Sequence, residues 1–168
     1  LKSRNFREAL AVFSRSAKIA SAWQGPCMLG MIRAQIELKD YSGALETAEE
    51  LIREIKTGVS VEKAMYYRGY ILKLMERRSD AAKAFRKLAE QYPGSDYAAD
   101  ALYEAGILFY ELQEYPQAIA ALELLRKTDP AYKNLPSALY RLVYADFFDG
   151  RIDDAMACVE ILKKNYPQ

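Results

Sequence analysis

The stretch QYPGSDYAADALYEAG, residues 91–106, changes character midway. A helix-ending Tyr92-Pro93-Gly94 gives way to alanines and apolar residues at helical spacing. The ending returns as NYP at 165–167, with TDP at 128–130 between them. Pro93, Pro130 and Pro167 are thus spaced by 37 residues, and proline cannot continue a helix, so each closes a unit at a fixed point. Twelve residues before these prolines stand Ala81, Ala118 and Ala155, a column that extends back to Ala44 and Ala9 at intervals of 37 and 35. Four and seven residues beyond the alanines lie Phe13 and Ser16, Ala48 and Leu51, Phe85 and Leu88, Leu122 and Leu125, and Val159 and Leu162. That spacing is one mostly apolar stripe on a helix.

Twelve residues before four of the alanines come Ile32, Gly69, Gly106 and Val143, each inside another helical stretch. Glycine costs a helix roughly 1 kcal/mol against alanine, so its recurrence predicts close approach of a neighbouring helix. Each unit reads as helix, short turn, helix and a linker ending in proline. The turns are LKDYSG, MERRSD, LQEYPQ and FDGRIDD, with Tyr41 and Tyr115 expected within them as staples. Pro116 suits the first turn of its helix, where the missing N–H is not needed. Asp146 falls where the matching residues are Leu72 and Phe109, an apolar position that a carboxylate does not suit.

The expected architecture is all-α, an α-α superhelix of about nine antiparallel helices. It is one array with a partial repeat at 1–24 and full repeats at 25–61, 62–98, 99–135 and 136–168. The opening helix, about residues 4–20, lacks a partner of its own. Stacked repeats bury their core against neighbours, so further repeats are expected before it, and its flank of Phe6, Leu10 and Phe13 is expected to be covered, as in a homodimer through the terminal helices.

A helix–turn–helix repeat of this length, with a small residue in the first helix, Ala-x3-Phe in the second and a closing proline, resembles the tetratricopeptide repeat. RGYIL and DAAKAFRKLAEQYP within 68–93, and EAGILFYELQEYPQAIAALELLRKTDP at 104–130, carry the resemblance. The second unit departs from it, with Ile32 for the small residue, Ala48 for the aromatic and Lys56 for the proline. The resemblance implies a protein-binding scaffold that is not an enzyme.

Composition narrows the chemistry. Lys plus Arg number 24 against 23 for Asp plus Glu, so there is no electrostatic reason to expect nucleic acid as a partner. No apolar run approaches the ~20 residues that span a bilayer, so no direct membrane insertion is expected. Without histidine there is no Ser-His-Asp or Cys-His pair and no HExxH site. The eight glycines match no phosphate-binding loop, and the carboxylates lie on polar helix faces, as in ETAEELIRE. No catalytic residue, cofactor or metal is expected. Cys27 and Cys158, 131 positions apart, are read as packing residues.

The candidate surface lies on the first helices of the pairs. Three before the Gly69 column stand Leu29, Tyr66, Tyr103 and Tyr140; one after it Arg33, Tyr70, Ile107 and Tyr144; four after it Ile36, Lys73, Tyr110 and Phe147. These offsets share one helix face, distinct from the face of Met65, Gly69 and Leu72. Tyrosine offers rigid contact area with a hydroxyl handle. The protein-binding residues expected are therefore Arg33, Tyr66, Tyr70, Lys73, Tyr103, Tyr110, Tyr140, Tyr144 and Phe147, holding a protein or peptide segment along the concave side. Packing of these tyrosines between neighbouring helices is the competing reading.

The linker YPGSDYAADAL resembles bacterial envelope repeat proteins of the BamD-like and CpoB-like kinds, which implies a periplasmic or outer-membrane-associated scaffold; a cytoplasmic location is the alternative. A structural or oligomerisation module acting through its ends, or an accessory segment of a larger enzyme or signalling protein, are the other readings.

Overall fold

The computed structural model describes residues 2–17, 21–55 and 57–166. Among these there are nine helices and no strands: α1 (Lys2–Ala17), α2 (Ser21–Glu37), α3 (Tyr41–Glu54), α4 (Val59–Leu74), α5 (Arg78–Gln91), α6 (Ala98–Glu111), α7 (Tyr115–Thr128), α8 (Leu135–Phe148) and α9 (Ile152–Asn165). The fold class is the one expected. Pro167 and Lys56, used above to mark repeat ends, lie outside the described residues. The chain divides into two compact units, Leu1–Ala84 and Phe85–Gln168. In the first, α1, α2, α3 and α4 pack in sequence and α2 also meets α4. In the second the same pattern joins α6, α7, α8 and α9, with α6 meeting α8.

The repeat is visible in the backbone. Lys39, Glu76 and Gln113 adopt positive φ of 60°, 58° and 60°, and Gly150 stands at 80°. Each is the second residue beyond a first helix and lies 37 positions beyond the last. Its own N–H bonds three residues back, and the next residue's N–H bonds five back: Lys39 to Ile36 and Asp40 to Gln35, then Glu76 to Lys73 and Arg77 to Leu72. The second unit repeats this with Gln113 to Tyr110 and Glu114 to Phe109, then Gly150 to Phe147 and Arg151 to Asp146. This pair of bonds is the Schellman turn, which satisfies the last carbonyls of a helix through one left-handed residue. The following carbonyl, of Asp40, Arg77, Glu114 or Arg151, accepts the N–H of Ala44, Ala81, Ala118 or Ala155 and so starts the second helix. Tyr41 and Tyr115, expected within turns, instead open α3 and α7, with Pro116 in the first turn of α7.

The alanine column is where the helices touch. Ala44, Ala81 and Ala118 are wholly buried, with Leu51, Leu88, Leu125 and Phe85 in the core. Ala9 and Phe13 in α1, and Val159 and Leu162 in α9, are only half-buried. Gly106 meets the predicted close approach: a Cβ there would lie 2.6 Å from Leu122 Cγ. In α2 the close approach is shifted. Ile32 is buried in the column, and Gly30, two residues earlier, leaves room for Phe13, whose Cε2 would lie 2.7 Å from an added Cβ.

Asp146 is buried to 1 % exposure, and its Oδ1 makes no hydrogen bond, although Arg151 Nε lies 3.4 Å from it. Burial raises its pKa above the usual carboxylate range; the Arg151 guanidinium offsets this in part, and Asp154, Glu123 and Asp149 add to the rise. A raised carboxyl pKa means that the stability it contributes is full below the ordinary value near 3.8 and is lost as pH rises through the folded-state value.

Two predictions follow from this backbone and its buried carboxyl group. Gln113→Gly relieves a side chain from left-handed geometry and is expected to stabilise by roughly 0.5–1 kcal/mol, whereas Gly150→Ala costs roughly 1–2 kcal/mol; urea titrations read both. The melting temperature of wild type relative to Asp146→Asn is expected to fall between pH 3 and pH 7, because the variant lacks the titrating group; a flat difference would refute the burial argument.

Candidate protein-binding surface

Helix α8 presents the expected tyrosine-bearing face as an exposed aromatic stripe. Tyr140, Tyr144 and Phe147, at i, i+4 and i+7, are all exposed, Tyr140 to 58 % and Phe147 to 57 %. Their neighbours connect them into a cluster. The Tyr140 hydroxyl donates to that of Tyr144 at 3.2 Å, and their rings lie 4.9 Å apart. Tyr144 lies 6.5 Å from Phe148, which stacks on Tyr115 at 5.2 Å and 21° and meets Phe147 edge-on at 5.5 Å. Tyr115 in turn meets Tyr110 at 6.1 Å, and the Arg141 guanidinium lies 5.5 Å over the Tyr110 ring. The hydrogen bond with Tyr140 is the main reason the Tyr144 hydroxyl is pushed above its ordinary pKa, so it stays protonated at neutral pH and can serve as a hydrogen-bonding handle.

Of the expected binding residues in the second unit, this cluster gathers Tyr110, Tyr140, Tyr144 and Phe147. Tyr103 does something else. Its hydroxyl donates to Ser137 Oγ at 3.2 Å, and its ring lies 5.5 Å from the buried Tyr132. Tyr132 donates to Asp100 Oδ1 at 2.6 Å, and Lys133 Nζ lies 3.4 Å from the same oxygen. Tyr103 therefore ties α6 to α8 and to the linker between α7 and α8. In the first unit Tyr66, Tyr70 and Lys73 stand on α4, with Tyr70 exposed and the other two half-buried. Arg33 is exposed on α2 and lines a groove against α1.

Phe148, Tyr115 and Arg141 belong to the cluster and escape the spacing argument. Phe148 sits one residue beyond the i, i+4, i+7 stripe, in a segment that reads as a turn. Tyr115 comes from the second helix of the preceding pair. The presence of two adjacent phenylalanines, Phe147 and Phe148, ahead of a charged turn was the available signal.

Among the described residues no group of three or more His, Cys, Asp or Glu is placed to hold a metal ion, and no helix is long and apolar enough to cross a membrane. Both cysteines are free thiols. Cys158 is buried, donates to the Leu139 carbonyl at 3.6 Å, and is pushed by burial to a pKa of about 11, so it is an unreactive thiol at neutral pH.

A family model of the tetratricopeptide repeat matches residues 63–95 and 100–131. No curated protein matches the chain in sequence. Among solved structures, the MamA protein superposes with a TM-score of 0.70 at 18 % identity, over 99 % of this chain and 89 % of that one. YrrB, a TPR protein with an unusual peptide-binding site, gives 0.69 at 14 % identity over 98 % and 80 %. BtubC from P. vanneervenii gives 0.72 at 16 % identity over 97 % and 74 %. The sequence match thus falls on the central hairpins, and over the remainder of the chain the likeness is one of fold.

The two environments of tyrosine separate in stability. Tyr103→Ala removes an inter-helix contact and a hydrogen bond and is expected to cost roughly 1–3 kcal/mol. Tyr140→Ala is expected to cost less than about 1 kcal/mol, as for an exposed side chain. Equal losses in urea denaturation would show that Tyr140 is a packing residue.

Proposed function

We propose that this chain is a non-catalytic protein-interaction scaffold that holds a segment of another protein against the aromatic face of α8. The observation that carries this reading is the run of exposed rings Tyr140, Tyr144, Phe147 and Phe148 on one helix, joined to Tyr115 and Tyr110. A contiguous aromatic patch exposed to water is unfavourable for a free surface and is the usual composition of an interface core. The face suits apolar side chains of an extended or helical segment, with two phenolic hydroxyls for its backbone and Arg141 at the edge for a carboxylate. The family match at 63–95 and 100–131 supports the scaffold role. The peptide-binding site of YrrB supports a peptide segment as the kind of ligand. The likeness of the 92–102 linker to BamD-like and CpoB-like proteins supports a setting in the bacterial envelope.

The competing reading, an assembly module acting through its outer helices, is favoured by Ile152 and Met156, exposed at 50 % and 63 % on α9. A cross-linking pull-down separates the two. Tyr140→Ala/Phe147→Ala/Phe148→Ala, checked for unchanged helical circular dichroism, is expected to lose the partner that wild type captures. A partner retained by the triple variant and lost by Ile152→Asp/Met156→Asp would move function to α9.

A further inference from the structure

The aromatic cluster around α8 has one charged end. Tyr110 and Tyr115 flank the turn between α6 and α7, and Phe147 and Phe148 close α8 at the turn before α9. Carboxylates adjoin the rings at both turns: Glu111 follows Tyr110, Glu114 precedes Tyr115, and Asp149 follows Phe148. Glu111 and Asp149 are exposed, Glu114 is half-buried, and among the described residues none of the three is in an ion pair. Glu114 stands at the N-cap of α7, where the positive helix end offsets part of its charge. Glu111 and Asp149 have the opposite setting. Both lie where a helix stops, and neither α6 nor α8 has a basic residue in its last turn, so their C-terminal partial negative charges add to the carboxylates.

The two cations of α8 and its turn are already engaged, Arg141 over the Tyr110 ring and Arg151 at 2.8 Å from Asp154. In the first unit the turn between α4 and α5 has the reverse character, with Lys73 in the last turn of α4 and Arg77 and Arg78 beyond it. The tyrosine-bearing face also stays open where further helices follow it. On α6, ahead of α7, α8 and α9, the equivalent Tyr103, Ile107 and Tyr110 are half-buried rather than buried.

We infer that the segment held on the α8 face is a basic one, with arginine side chains lying over the rings at the turn end. The inference rests on α8 being the binding face and adds the chemistry of what it holds. Aromatic rings offer their negative π faces to a cation, and the carboxylates beside them accept guanidinium N–H groups, so a planar arginine suits both features of this surface. An acidic segment would meet charges of its own sign there.

The probes are three fluorescein-labelled twelve-residue peptides that repeat leucine, arginine and glycine, with glutamine or glutamate replacing arginine in the second and third. Each is titrated with the whole chain and read by anisotropy. The arginine peptide is expected to bind saturably and at least about tenfold more tightly than the glutamine peptide, with the glutamate peptide weakest. Glu111→Gln/Asp149→Asn, isosteric changes at exposed positions, should remove most of that tenfold advantage while leaving the glutamine peptide's binding as it was. Raising the salt should have the same effect. Tyr140→Ala/Phe147→Ala/Phe148→Ala should weaken the arginine and glutamine peptides together. Equal binding of the arginine and glutamine peptides, both lost in the triple variant, overturns the basic specificity and leaves α8 as the binding face. Arginine-peptide binding that the triple variant retains overturns both readings, and absence of saturable binding by the arginine peptide overturns the inference.

Discussion

Each hairpin depends on one left-handed residue. At Lys39, Glu76, Gln113 and Gly150 the chain reverses hand for a single position, and two hydrogen bonds close the first helix while the next carbonyl opens the second. The same turn recurs in each hairpin, and the residue buried at the start of the second helix is the alanine four places into it, wholly so at Ala44, Ala81 and Ala118. Any larger side chain at Ala44, Ala81 or Ala118 would force the helices apart. The burial of Ala48, Phe85 and Leu122 follows one turn later on the same stripe, and that of Leu51, Leu88 and Leu125 two turns later. Three of the four positions hold residues for which positive φ is costly, so the turn is retained against local preference by the packing beyond it.

Much of this was legible in residue spacing. The alanine column, the apolar stripe and the closing prolines recur at near-constant intervals, with Lys56 in place of one proline, and such periodicity survives any ignorance of tertiary contacts. The glycine column was legible in part. Gly106 does what its position implied, but in α2 the contact moves to Gly30 because the neighbour is Phe13, a larger ring entering from the preceding helix. The carboxylate at Asp146 stood out against Leu72 and Phe109, and it is indeed buried with an oxygen that makes no hydrogen bond.

The candidate surface was half legible. A spacing rule identifies residues that share a face of one helix, and it placed Tyr140, Tyr144 and Phe147 together on α8. It carries no information on what each face meets. Tyr103 occupies the same column as Tyr140, yet Ser137 and Tyr132 from later elements engage it, so equivalent positions perform different tasks. Tyr115 and Phe148 join the cluster from two different helices, a non-local stacking that no single-helix pattern can report.

The linkers share a further regularity. The N–H of Tyr92 bonds Leu88, that of Asp129 bonds Leu125, and that of Tyr166 bonds Leu162; within the second unit Ser95 to Tyr92 and Ala98 to Ser95 are matched by Tyr132 to Asp129 and Leu135 to Tyr132. Cuts made at equivalent positions of the linkers after α5 and α7 therefore leave ends with the same backbone donors and acceptors. Unequal recombination between copies of the repeating segment would add or remove a whole hairpin with its joints intact. Such a chain can change its length over evolutionary time in steps of one hairpin, each newcomer free to diverge on its outward face while its turn and alanine seam stay fixed.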